Sequence, residues 1–166
     1  MLVVTIAAPG SVFPQQQPPA DTLLNHFTGK WTLRGVIDGK NIQHDITASW
    51  VLGHQYLELK ETSTEKQPNG LPEYEAVVFI CYNTRTNRYD CLWLDNTSNA
   101  GLSNGVIAHA AFQPNTIALL FNMSDKTLFH TTFTFSPSEN RWHWKMESDE
   151  GGRLQTFADA QMFQKQ

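Results

Sequence analysis

Residues 101–105, GLSNG, match the G-x-S-x-G pattern of a hydrolase nucleophile motif, with Ser103 at its centre. A serine hydrolase needs that serine on a sharp turn between a strand and a helix, and a histidine base within hydrogen-bond reach. Here loop-forming residues precede Ser103 and a strand pattern follows it. No histidine has a spacing from Ser103 that identifies it as the catalytic base. The context therefore favours an ordinary loop over a catalytic serine.

Six histidines are scattered along the chain and form no zinc-binding motif. Strand alternation turns His130 and His143 outward, whereas His44 and His109 share a face with apolar neighbours, as half-buried side chains or ligand contacts. Haem binding would need one such histidine aimed into an apolar cavity. We therefore predict no cofactor and keep haem as the less favoured alternative.

The carboxylates have no spacing that demands acid–base chemistry. Asp159 is the one of interest, because an inward carboxylate beside Trp142 could bond the indole or an arginine; a buried polar pair that sets the strand register is the favoured interpretation. Cys81 and Cys91 flank a hairpin, and two buried free thiols are favoured over a cross-strand disulfide. No catalytic or metal-binding residue is predicted.

Composition predicts one globular domain. The 166 residues are 40% hydrophobic and 11% aromatic, enough to build a sizeable core. The formal net charge is −4 and no block of Lys or Arg occurs, which argues against a nucleic-acid partner or an anionic membrane surface. No stretch is long enough to span a bilayer as a helix.

The first nineteen residues are predicted to be a signal-like or disordered tail, followed by a single barrel domain over residues 20–166. The apolar start, MLVVTIAAPGSVF, resembles the hydrophobic region of a secretory signal, although no basic residue precedes it. A polar, proline-rich spacer follows. We expect a periplasmic or secreted protein, with a cytoplasmic location as the alternative.

The rest of the chain is predicted to be all-β after one short helix. Asp21 is a plausible N-cap for that helix, and Leu23, Leu24 and Phe27 form its apolar side. About ten strand patterns follow, joined by short turns such as Asp38-Gly39. With no crossover helix, the pattern predicts an antiparallel up-and-down barrel, whose closure removes exposed sheet edges.

Alternation predicts the interior side chains. Pairing Ser136 with Arg141 places Phe135 opposite Trp142 and Phe133 opposite Trp144. Continuing across Gly151-Gly152 places Phe157 beside Trp144 and Asp159 beside Trp142. The candidate ligand-binding side chains are then Trp50, Phe133, Phe135, Trp142, Trp144, Phe157 and Asp159.

The tripeptide Gly29-Lys30-Trp31, at the start of the first strand, resembles the G-x-W signature of lipocalins. The resemblance implies that Gly29 and Trp31 close one end of the barrel and that a late arginine, Arg141 or Arg153, packs over the tryptophan. Nitrobindin-like barrels have a similar opening, G-x-W-x-G, and bind haem through a late histidine, a position near that of His143. Here Leu33 replaces their second glycine, so this likeness is partial.

Over residues 20–163 the chain resembles an uncharacterised bacterial family of calycin-like barrels, domain of unknown function fifteen seventy-nine. Four segments carry the resemblance: LLNHFTGKW, WVLGHQYLEL, ICYNTRTNRYDCLWLD and the aromatic late strands. It implies a lipocalin-like barrel, and members often have an export signal. The family has no established activity, so the resemblance implies none for this chain.

The leading hypothesis is a non-enzymatic, exported barrel that binds a small hydrophobic or amphipathic molecule, entered near residues 96–104. Aromatic cavities with a few polar anchors are the usual form of such sites. One alternative is a filled barrel that forms a homodimer through the outer face of residues 116–123. The other is an enzyme acting on an apolar substrate, which would need an inward histidine or carboxylate.

Overall fold

One short helix and ten strands make up the computed structural model, which describes residues 22–97, 102, 107–123 and 127–165. The elements are α1 (Thr22–Asn25), β1 (Gly29–Ile37), β2 (Lys40–Val51), β3 (Tyr56–Ser63), β4 (Glu75–Asn83), β5 (Arg88–Asp95), β6 (Ile107–Ala111), β7 (Thr116–Asn122), β8 (Leu128–Ser136), β9 (Arg141–Glu150) and β10 (Arg153–Gln164). Every predicted strand is present. Asp21, the predicted N-cap, and the predicted tail lie outside the described residues.

The strands form a closed antiparallel barrel in which each strand pairs with its neighbours in sequence. β1 closes the barrel by pairing with β10, from Trp31 opposite Gln164 to Ile37 opposite Ala158. The predicted all-β, up-and-down barrel is therefore confirmed. Among the described residues, no helix is long and apolar enough to cross a membrane.

The two ends of the barrel differ in their connections. Tight hairpins at Asp38-Gly39 and Gly151-Gly152 lie at one end, and all four residues have positive φ, as turns of this kind require. We call this end the upper end. The helix α1 lies at the opposite, lower end, and residues 98–101, 103–106 and 124–126 fall outside the described part.

Aromatic rings and α1 fill the lower end. Leu24 and Phe27 are fully buried, and the Phe27 ring stacks on Trp142 with centroids 3.7 Å apart. Trp31 is also fully buried, and its indole Nε1 donates a hydrogen bond to the Phe27 carbonyl at 2.6 Å. Gly29, with φ of 115°, lets the chain turn from the helix into β1.

Neither Arg141 nor Arg153 covers Trp31. The Arg141 guanidinium lies over the Phe163 ring at 4.9 Å and donates to Gln161 on the outer face, while Arg153 is exposed in the upper hairpin. The expectation that Arg141 or Arg153 packs over Trp31 is therefore wrong. The carbonyl of Phe27 supplies the polar partner that the indole needs.

The predicted register is confirmed for one hairpin and wrong for the next. Phe135 pairs with Trp142 and Phe133 with Trp144, as predicted. In the β9–β10 hairpin, Arg153 pairs with Glu150, two residues away from the predicted register, and a bulge between Thr156 and Ala158 shifts the register by one more, so that Ala160 pairs with Trp144. The extra residue is Phe157, and a one-residue shift reverses the faces of the strand that follows.

The two cysteines point to opposite faces of the barrel. Cys81 pairs with Asp90, and Cys91 pairs with Ile80, the next pair along the β4–β5 ladder. Because side chains alternate between the two faces of a strand, the two thiols point in opposite directions. Both are free, as expected, but only Cys91 is buried, because Cys81 is half-buried on the outer face. Burial raises the pKa of both thiols above the usual value, and neither is therefore primed as a nucleophile.

We predict that Trp31→Ala lowers the free energy of unfolding by about 3–5 kcal/mol, since it leaves a large buried cavity beside Phe27. Urea denaturation followed by circular dichroism measures this. The neighbouring, exposed Lys30→Ala is the control and should change stability by less than about 0.5 kcal/mol. Similar losses in both variants would contradict the closure role of Trp31.

Candidate functional site

A cavity of about 510 Å³ opens at the upper end of the barrel. This volume lies within the range of small-molecule pockets. Its walls come from seven strands (β1, β2, β3, β5, β8, β9 and β10), the β1–β2 turn and the β3–β4 connection. The lining residues that matter for the site are Ile42, His44, Tyr74, Trp93, Phe129, Trp144, Met146 and Phe157, with Asp38, Lys40, Glu65, Glu73 and Asp95 nearer the rim.

A layer of aromatic rings forms the floor of this cavity. Trp93 and Trp144 are parallel within 18°, with centroids 6.0 Å apart, and Phe133 lies against Trp144 at 6.1 Å. Below this layer, beside Glu61 and Met162, only about 10 Å³ remains empty. The interior is therefore filled in its lower part and open above the two tryptophans.

A buried polar pair, His44 and Glu61, lies beside this floor. Their side chains are each 5% exposed, and Nδ1 of His44 lies 2.6 Å from Oε1 of Glu61. The two residues are diagonal neighbours, because His44 pairs with Ser63 and Ile46 pairs with Glu61. With Nδ1 bonded to the carboxylate, Nε2 is the ring nitrogen left for a ligand.

Tyr74 extends the polar side of the cavity. Its ring stacks on His44 at 5.6 Å, and its hydroxyl accepts a hydrogen bond from Nε1 of Trp93 at 3.2 Å. Burial, and then the charges of Glu61 and Asp95, raise the pKa of Tyr74 far above its usual value. The phenol therefore stays neutral and can donate to a ligand oxygen.

The predicted ligand-binding residues separate into two groups. Trp144 and Phe157 line the cavity, and Phe133 lies just below it. The other aromatic side chains of the prediction lie at the lower end, packed against α1 and the residues that follow it. Trp50 donates to Asn25, Trp142 donates to the His26 carbonyl, and Phe135 stacks on His26.

Asp159 lies outside the barrel. It pairs in register with Lys145, and its Oδ1 is 2.8 Å from Nε2 of His143, with both side chains about half exposed. The prediction that Asp159 faces inward beside Trp142 is therefore wrong, and the bulge at Phe157 is the reason. His143 faces outward, as predicted from the alternation of side chains in β9.

The other candidate groups are outside the cavity or outside the described residues. His109 is on the outer face, where its Nδ1 is 2.7 Å from Asp90. Ser103 lies outside the described residues, as does most of the predicted entrance at residues 96–104, of which 96, 97 and 102 are described. No cluster of three or more metal-ligating side chains occurs in the described ranges.

Our sequence analysis missed Glu61, Tyr74 and Trp93. Alternation could have placed Glu61 and Trp93 inside, because Glu61 continues the interior series of Leu57 and Leu59, and Trp93 follows Cys91. Tyr74 precedes β4 in a loop, and no periodicity reports on such a position. The pairing of His44 with Glu61 also needed the β2–β3 register.

Comparison with known proteins supports the fold and goes no further. No family model matches the chain, and no curated protein matches it. The crystal structure of Rv2717c from M. tuberculosis is similar, with a TM-score of 0.60 at 12% identity over 90% of this chain and 99% of that one. At that identity the likeness extends to the barrel alone.

We predict that His44→Leu and Glu61→Leu each lower the free energy of unfolding by roughly 3–5 kcal/mol, because each leaves a polar group buried without its partner. The double variant should cost less than the sum of the two. Urea denaturation of all three variants measures this coupling. The exposed pair Asp45–Lys165 is the control, and Asp45→Ala should cost about 0–1 kcal/mol. Additive losses at His44 and Glu61 would contradict the coupling.

Proposed function

We propose that this protein binds a small amphipathic molecule in the upper cavity of the barrel. The observation that carries this proposal is the space above Trp93 and Trp144, about 510 Å³. Most of its deeper wall is apolar, which suits a hydrophobic body. The proposed site shares Trp144 and Phe157 with the predicted set and adds His44, Tyr74 and Trp93.

The polar groups of the cavity support an amphipathic ligand over a purely apolar one. The hydroxyl of Tyr74 and the imidazole of His44 both line the cavity. A ligand with polar atoms could form hydrogen bonds with Tyr74 and His44, which a purely apolar ligand would not.

Native mass spectrometry of the purified protein, with an absorbance scan for a Soret band, tests whether a ligand co-purifies. Naphthyloxyethanol, a neutral aromatic probe with an ether oxygen, tests the cavity directly by fluorescence titration. We expect saturable binding at one site. An absence of both a co-purifying mass and probe binding would contradict the proposal.

We predict that Met146→Trp reduces binding of naphthyloxyethanol at least about tenfold, because Met146 faces the cavity and the larger ring fills it. Fluorescence titration measures the change. Thr134→Trp adds the same ring on the exposed outer face of β8 and is the matched control. Equal binding by both variants would show that the probe binds outside the upper cavity.

Proton transfer on a bound substrate is the second candidate function, because the His44–Glu61 pair lies beside the cavity. A carboxylate that holds one imidazole nitrogen orients the other as a base. Naphthyloxyacetone incubated with the protein in heavy water tests this by nuclear magnetic resonance. Faster exchange of its α-protons, lost in His44→Gln, would favour an enzyme; exchange at the buffer rate would favour a carrier.

Haem, the cofactor alternative from the sequence, does not suit the residues that face this cavity. His143, the late histidine to which the partial resemblance pointed, is outside the barrel with Asp159. The rim carries Glu65, Glu73 and Asp95, where haem propionates would meet like charge. A Soret band in the purified protein would contradict this argument.

We also propose a homodimer, formed through a surface other than the predicted outer face of residues 116–123. The outer side of β7 offers the small, exposed Ala118 and the half-buried Leu120. A larger apolar groove of the outer face is lined by Leu52, Tyr56, Phe79, Leu92 and Ile107. Light scattering measures the molar mass of the Ile107→Lys variant and of the unchanged protein, and we expect only the unchanged protein to be a dimer. A monomer in both cases would contradict the proposed dimer.

Membership of the bacterial family and export also remain predictions.

A further inference from the structure

Carboxylates outnumber basic groups around the mouth of the cavity. The charged rim residues are Asp38 in the β1–β2 hairpin, Glu65 and Glu73 in the β3–β4 connection, Asp95 at the end of β5, and a single basic residue, Lys40. The buried Glu61 lies below them beside His44. A low-dielectric cleft lined by one sign of charge concentrates the field at its opening.

The strand connections hold these carboxylates at the mouth. The backbone N–H of Glu73 donates to the Glu65 carbonyl at 3.0 Å, so the two residues lie side by side across the β3–β4 connection. Oδ1 of Asp95 accepts two hydrogen bonds from Thr97. Within the described ranges, lysine and arginine form ion pairs with Asp45, Glu58, Asp90, Glu139 and Glu147, and not with Asp38, Glu65 or Glu73.

The segments outside the described residues bring no net positive charge in their sequence. Residues 1–21 contain no lysine or arginine, residues 98–106 contain no charged residue, and residues 124–126 contain one aspartate and one lysine. Of the described residues at this end, Lys66 and Arg153 are also basic, but neither lines the cavity. Burial, and then the charges of Glu61 and Asp95, raise the pKa of Tyr74.

The walls are also suited to a positive charge. Trp93, Trp144 and Tyr74 line the cavity together with Phe129 and Phe157. Aromatic faces attract organic cations through their quadrupole, and tryptophan does so most strongly. An aromatic wall below a carboxylate rim offers both a hydrophobic surface and a place for a positive head group.

We propose that the upper cavity selects organic cations, such as quaternary or primary amines with an aromatic or aliphatic body, over neutral and anionic molecules of the same shape. This inference rests on the proposed binding function and names its ligand class. The apolar body would pack on the tryptophan floor. The cationic head would lie nearer the rim carboxylates.

Three probes with the same naphthyloxy body test this selectivity: naphthyloxyethyl-trimethylammonium, naphthyloxyethanol and naphthyloxyacetate. Calorimetric titration of the full chain at low ionic strength measures their affinities. We expect the cation to bind roughly tenfold more tightly than the neutral probe, and the anion roughly tenfold more weakly. Added salt should weaken the binding of the cation and leave the neutral probe unchanged.

The double variant Glu65→Gln/Glu73→Gln should reduce the affinity for the cation roughly five- to tenfold and leave the neutral probe within about twofold. The matched control, Asp45→Asn/Glu139→Gln, removes the same charge from exposed outer positions and should leave the affinities for all three probes unchanged. Binding of the neutral probe without preference for the cation would overturn this inference while the proposed function stands. Failure of all three probes to bind would overturn both.

Discussion

The width of a closed ten-stranded barrel is the constraint on which the rest of this structure depends. Side chains can just fill the interior of an eight-stranded barrel, and two more strands leave additional space. Here α1 takes up part of that space at the lower end, where Phe27 is stacked on Trp142 and bonded through its carbonyl to Trp31. No helix occupies the upper end among the described residues, and the cavity lies there.

The aromatic residues consequently have two different roles. The aromatic side chains at the lower end bury apolar surface. Their indole N–H groups donate hydrogen bonds to main-chain or side-chain acceptors in α1 and in the turn that follows it. Those in the Trp93–Trp144 layer separate the filled part from the cavity, and Nε1 of Trp144 has no partner in the described part of the chain. Aromatic abundance alone does not distinguish these roles; position along the barrel axis does.

The polar groups of the interior are unusual because they are costly to bury. An imidazole and a carboxylate at 5% exposure must be paired to be tolerated, and His44 and Glu61 are paired at 2.6 Å. Two leucines would fill the same space without that requirement. In the function we propose, this pair and Tyr74, which is stacked on the imidazole, contact the ligand, and the carboxylate rim selects the sign of its charge.

The strands, their antiparallel order and the β8–β9 register follow from local signals, since alternation and turn residues such as Asp38-Gly39 act over a few residues. The sequence alone therefore determined the fold and the inward face of Trp144. It did not determine the bulge at Phe157, which reverses the face of Asp159, nor the diagonal pairing of His44 with Glu61. Both depend on how distant strands settle into register when the barrel closes. Only the tertiary structure decides which aromatic rings fill the barrel and which ones surround the open space.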